Sequence, residues 1–176
     1  MSVIIIETVS GRIKKIQAEL KVLDKDIVKA LAQVSSDITK RTKSGLDYNG
    51  VSFAPYSNLY KQIKSDSGRP SSPVNLTFHS HMLNGMTVKK ISDGGKIWFP
   101  DKKQRNKAKW HNNGTNPYTI RAKNKRVLAN KAAGLFFGKE VRHPGLKKRH
   151  FFELSNNNVK YIETYLLRKI HKAVKG

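Results

Sequence analysis

The chain has 176 residues, 38% of them hydrophobic, enough to bury one core. Zero cysteines exclude a disulfide framework, a thiolate metal site and a cysteine nucleophile. Thirty-five Lys and Arg against twelve Asp and Glu give a formal net charge of +23, which points to a polyanionic neighbour, either nucleic acid or an acidic protein surface.

Val3 to Thr8 is β-branched and reads as a short strand, with Ser10 placed to cap a helix. Its apolar run is four residues long, lacks a preceding basic residue and is followed by Glu7, so it fits neither a signal peptide nor a membrane span. From Gly11 to Lys43 the apolar residues Ile13, Ile16, Leu20, Leu23, Ile27, Leu31, Val34 and Ile38 step by three or four, the spacing of one helical face. Unbroken, that helix would reach about 45 Å. A joint is expected near Leu23 to Asp26, with Asp24 and Asp26 as caps of a second helix. Sustained charge pairing along the stripe is absent, which argues against a free coiled coil.

Gly45 ends this segment, and Leu46 to Pro73 is rich in Gly, Ser, Asn, Asp and Pro. Four aromatics punctuate it: Tyr48, Phe53, Tyr56 and Tyr60. Two readings fit: an arm that orders against a neighbouring subunit, or a loop that these rings pack onto its own domain. Leu83, Met86, Val88 and Ile91 then suggest a short helix or turn leading into a strand. Asp93-Gly94-Gly95 reads as a turn and Lys96 to Phe99 as the returning strand of a hairpin. Asp101 to Trp110 is basic and helix-permissive, and further strands are expected at Tyr118 to Ala122, Arg126 to Ala129 and Gly138 to Arg142. Ser155 can cap a last helix whose apolar residues are Val159, Ile162, Leu166, Ile170 and Ala173. The expectation is a single α+β domain over 1–176: strand and helices at 1–43, a loop or arm at 44–75, a β-rich basic region at 76–154 and a C-terminal helix at 155–176. Its small, mostly antiparallel sheet packs against the long helical segment.

The charge is uneven. Residues 96 to 149 carry sixteen Lys or Arg and two acids, a net of +14. Candidate contacts to DNA or to an acidic partner are Lys102, Lys103, Arg105, Lys107, Lys109, Arg121, Lys123, Lys125, Arg126, Lys147, Lys148 and Arg149. With no zinc finger, RNP signature or helix-turn-helix, such contacts would be to phosphates and insensitive to sequence. Trp98, Phe99, Trp110 and Tyr118 interleave with the basic run, as core residues or as stacking platforms.

Catalytic patterns are absent. The chain has no P-loop, nucleophile elbow or His-Glu-x-x-His motif, and its sparse acids are not paired for two-metal hydrolysis. His79 and His81 would share one face of a strand, but no third metal ligand follows at a suitable distance. His111-Asn112-Asn113 lacks the acid and second histidine of an HNH-type nuclease. No enzyme, cofactor or metal is expected.

Several stretches resemble, in the correct order, the tail-completion or head-to-tail joining proteins of tailed bacteriophages, the virion morphogenesis group. Beyond the N-terminal pattern of Val3 to Lys43, Asp47-Tyr48-Asn49-Gly50-Val51-Ser52-Phe53-Ala54-Pro55-Tyr56-Ser57 is similar to that group's loop of Gly, two residues, aromatic, Pro, Leu, Ser, with Phe53 where Trp is usual and Tyr56 where Leu is common. Leu76 to Leu83 is similar to its Thr-Gly-x-Leu stretch but departs from it at His79 to His81. Ala108 to Gly114 resembles its Tyr-Ala-x-x-His-x-x-Gly element. Val141 to Gly145 and Arg149 to Ser155 resemble its closing His-Pro-Gly and Arg-x-Phe-Leu-x-Leu-Ser elements. The resemblance implies a homo-oligomeric ring, sixfold or twelvefold, in the virion neck or upper tail, assembled in the host cytoplasm. Head-connector and tail-tube proteins would be its neighbours, with nonspecific contact to packaged DNA and none to membrane. On physical grounds His111, Gly114, His143, Pro144, Gly145, Phe151 and Phe152 read as fold landmarks: His143-Pro144-Gly145 suits a type II turn, and Gly114 a left-handed terminus. The alternative is a sequence-nonspecific basic nucleic-acid-binding protein.

Overall fold

A computed structural model describes residues 25–92, 94–123, 127–130 and 134–175. The strand expected at Val3 to Thr8, the Ser10 cap, the first part of the long helix, Lys125 and Arg126 all lie outside these residues. The fold is α+β, and the chain forms two compact units. The first gathers residues up to 37, 86–100 and 154–176, and the second gathers 38–85 and 101–153.

In the first unit, helix α1 (residues 25–43) contributes its residues up to 37. With it are the antiparallel ribbon of β1 (Thr87–Ile91) and β2 (Gly94–Trp98) and the last helix of the chain, Asn156–Lys175. The ribbon is the expected hairpin, but Gly94 and Gly95 lie within β2, paired with Ile91 and Lys90, rather than in the turn. A Cβ at Gly95 would come within 2.6 Å of Leu31 Cδ1 and 3.2 Å of Ile27 Cγ2, so the missing side chain is what lets the ribbon lie on α1. The deepest line of α1 is Asp26, Ala30, Val34, Ile38 and Thr42, spaced by four, while Ile27 and Leu31 are half-buried beside it. The sequence stripe is therefore right in period but rotated by about one residue. Asp26 is also not a cap. It lies within helical residues, accepts a hydrogen bond from Tyr165 Oη at 3.0 Å and sits 3.4 Å from Lys169 Nζ. Asn158 Nδ2 donates to Asp37 at the other end, so the two helices run antiparallel. Ser155 does cap the last helix: its Oγ accepts from the backbone N–H of Asn158, whose Oδ1 accepts from the backbone N–H of Ser155, a reciprocal box.

The second unit begins with the end of α1. Gly45, at φ 82°, closes that helix as expected, with its N–H bonded to Thr42 O and that of Leu46 to Arg41 O. The segment 46–73 is packed on its own unit rather than extended. Asp47 Oδ1 accepts from the N–H groups of Asn49 and Val51, Leu46 bridges Ser52, and Phe53 and Tyr56 are each 8% exposed. It also holds a helix the composition hides, α2 (Asn58–Asp66), capped by Ser57. There follow the one-turn α3 (His81–Asn84) and α4 (Lys102–Asn113), the latter capped by Asp101, whose carboxylate accepts from Gln104 N–H at 2.8 Å. The remaining strands make no broad sheet. β3 (Tyr118–Arg121) pairs with β6 (Glu140–His143), and β4 (Leu128–Asn130) with β5 (Leu135–Phe137), both antiparallel. Strand β5 is an addition to the expected set. Bonds from Ala122 N–H to Lys139 O and from Leu128 N–H to Gly138 O join the two ladders, so the described residues of β3, β4, β5 and β6 make up one two-stranded arm. The helix Asn156–Lys175 is α5. No described helix is long and apolar enough to cross a membrane.

Phe151 is completely buried at the centre of the second unit. Phe151→Ala should lower the unfolding free energy by about 3–5 kcal/mol, measured by urea denaturation monitored by circular dichroism.

Candidate interaction surface

The arm projects from a joint made by two stretches some thirty residues apart. Gly114 leaves α4 with φ 74° and ψ 179°, a region open almost only to glycine. A Cβ there would stand 2.6 Å from Leu146 O, and one at Gly145, φ 85°, would collide with Thr115 O and Asn116. Thr115 and Leu146 exchange backbone hydrogen bonds, and Thr115 Oγ1 also accepts from Leu146 N–H. In the expected turn, Gly145 N–H donates to His143 Nδ1, and the His143 ring stacks on Tyr118 across the arm at 4.7 Å. Arg149 N–H bonds to His111 O, and Phe152 N–H bonds to Asn112 Oδ1. Of the expected landmarks, His111, Gly114, His143, Gly145 and Phe152 therefore meet at this joint, with Phe151 in the core behind it.

Beyond the joint the arm has two faces. Tyr118 with His143 and Ile120 with Val141 form one, Thr119 with Arg142 and Arg121 with Glu140 the other. Arg121 Nε and Glu140 Oε2 are 3.0 Å apart but largely solvated, so this pair contributes little. The apolar face is open, with Tyr118 47% and Ile120 36% exposed, and farther out on β5 Phe136 is 74% exposed.

The expected basic contacts separate into three groups. Lys102, Lys103, Arg105 and Lys109 are exposed on α4 with Lys107 half-buried, while Arg121, Lys123, Lys147 and Lys148 are exposed on the arm and just past its joint. Arg149 is a correction: it is only 5% exposed, its guanidinium donating to Ala54 O, Pro55 O and Lys147 O and lying 5.4 Å from the Tyr56 ring centre. A guanidinium so enclosed fastens the fold and cannot reach a partner. The proposed interface aromatics differ too. Phe53 and Tyr56 are buried, Tyr60 packs edge-on to Tyr56 at 4.9 Å, and Tyr48 does the same to His150 at 6.3 Å. On the arm, by contrast, Tyr118 and Ile120 stand exposed. The signal for this face was present in the alternation of Tyr118, Ile120 and Val141, His143, which was read as ordinary sheet.

Beside α4 lies a groove of about 260 Å³, lined by Tyr56, Tyr60, Phe78, Lys107, His111 and the 79–82 turn among others. His79 and His81 stack at 5.8 Å; among the described residues no three His, Asp or Glu come together as metal ligands. Burial, reinforced by Arg149 and Lys107, pushes His111 down to about 4. No family model, curated protein or solved structure matches this chain.

The unfolded chain takes up the His111 proton near pH 6.5, whereas the folded one resists it until about 4. The associated stability is thus complete above pH 6.5 and lost as pH falls towards 4, at about 1.4 kcal/mol per pKa unit. His111→Gln should flatten that part of the stability profile relative to the parent, read by denaturation at stepped pH. Gly145→Ala should cost about 3 kcal/mol or more, visible as a lowered midpoint in the same assay.

Proposed function

We propose that the protein is a structural component of a tailed-phage virion, with no catalytic role, at the neck or upper tail, where identical subunits form a ring between head connector and tail tube. One observation supports this beyond sequence resemblance: the stretches 108–114 and 141–155 that carry the resemblance form a single joint at the root of a projecting arm. A rigid root with an open apolar face beyond it suits assembly, since each subunit of a ring makes a heterologous contact with the next. We assign that contact to the exposed apolar residues of the arm, Tyr118, Ile120 and Phe136. Exposed lysines of α4 would face packaged DNA or an acidic ring neighbour, and in the second reading they serve a sequence-nonspecific nucleic-acid-binding protein.

Light scattering across protein and salt concentration, with and without double-stranded DNA, separates the two. The assembly reading expects rings at high protein concentration, reduced to monomers by Ile120→Asp with Phe136→Asp while the circular dichroism spectrum is kept. A monomer at every concentration that binds DNA tightly, with a steep salt slope, would overturn it in favour of the second.

A further inference from the structure

We infer that the groove beside α4 binds a nucleotide, with the base against its aromatic wall and the phosphate at its cationic rim. The inference stands apart from the ring reading and concerns a different surface from the arm.

Three rings, Tyr56, Tyr60 and Phe78, supply the wall, and Tyr60 bridges the other two at 4.9 and 6.3 Å. Such rings accept any base, because every base has a π-face. At the rim stand Lys107, His79 and His81, and no carboxylate lines the cavity. Behind the wall the charge is again of one sign. Lys64 Nζ lies 5.2 Å and the Arg149 guanidinium 5.4 Å from the Tyr56 ring centre, and the Arg69 guanidinium 4.9 Å from that of Phe78. Lys64 is fully buried, bonded to Thr77 O at 2.6 Å and Asn75 Oδ1 at 3.2 Å. Among the described residues none of these three cations has a carboxylate partner. Lys64 and Arg149, buried without counter-ions, create a field that favours an anion nearby, and low-dielectric walls focus it. A divalent cation would meet repulsion from every side.

The site is also held in shape. Leu76 and Ser80 both sit at positive φ, 51° and 59°, conformations that persist when the surroundings dictate them. Here Lys64 pins residues 75 and 77, and Leu76 N–H donates to Tyr56 Oη at 3.0 Å.

The test is an NMR titration of the isotope-labelled full chain with AMP, adenosine and a short oligo-dA. AMP should shift the resonances of Tyr60, Phe78, His79 and His81 with submillimolar affinity, and adenosine should bind at least about tenfold more weakly, since charged hydrogen bonds are the stronger ones. Lys107→Ala should weaken AMP about tenfold, Tyr60→Leu should weaken AMP and adenosine alike, and Lys160→Ala on the exposed face of α5 should change nothing. Affinity for oligo-dA well above that for AMP would assign the nucleotide to a single strand, and equal affinities to a free mononucleotide. The inference is overturned if millimolar AMP leaves those resonances unmoved, if adenosine binds as well as AMP, or if Lys160→Ala weakens AMP as much as Lys107→Ala does. Retained dispersion in the variant spectra distinguishes lost binding from lost folding.

Discussion

The second unit depends on one buried guanidinium. Arg149 donates to the carbonyls of Ala54, Pro55 and Lys147, lies over the Tyr56 ring, and through its own N–H holds His111 O. It thereby ties the 46–73 segment, the end of α4 and the strand leaving the arm to one point. Burial lowers its pKa, yet a guanidinium starts so high that it stays charged. Its planar fork can engage several carbonyls at once, a geometry a lysine ammonium does not reproduce. Arg41 works in parallel, donating to the carbonyls of Phe151 and Glu153 and so attaching the end of α1 to the same closing stretch.

That arrangement shows how a chain of such positive charge solvates its buried cations. Lys64 and Arg149 are met by carbonyl oxygens and aromatic faces, while the few acids do other work. Asp47 and Asp101 organise a turn and a helix start, and Asp26 receives Tyr165 and Lys169 in the first unit. Carbonyls and rings leave the net charge intact, so the surface field persists for whatever polyanion the protein meets.

Periodicity made the α+β class, α1 and the last helix legible through a sustained step of three or four, and the Gly-Gly pair marked the β1–β2 hairpin although it opens β2 rather than forming the turn. The Gly45 terminus and the Ser155 cap followed from local chemistry alone. Burial did not. Asp26 and Thr42 lie on the deepest line of α1 because the four-residue spacing passes through them, and hydropathy cannot anticipate a carboxylate whose partners are 139 and 143 residues away. Arg149 was misplaced for the same reason: a basic residue reads as surface until its carbonyl acceptors are seen. Helix α2 was hidden because Lys61, Gln62, Lys64 and Ser65 dilute its apolar spacing to Leu59, Tyr60 and Ile63. The motif residues at the joint were recognisable as turns and termini, but only the fold shows that they meet.

The interleaving of the two units has a consequence for synthesis on the ribosome. Residues 38–85 and 101–153 of the second unit are all made before α5 exists. The first unit must wait, because Asp26 and Asp37 find Tyr165 and Asn158 only after more than a hundred further residues have been translated. At about 5–20 residues per second, the 139 residues between Asp26 and Tyr165 take roughly 7–28 s. Through that interval the face of α1 that will receive α5 is without it, in a crowded cell, while the second unit and its arm are finished at residue 153, ahead of α5. Completion of the chain, rather than any property of the second unit, therefore sets when the whole molecule reaches its assembled form.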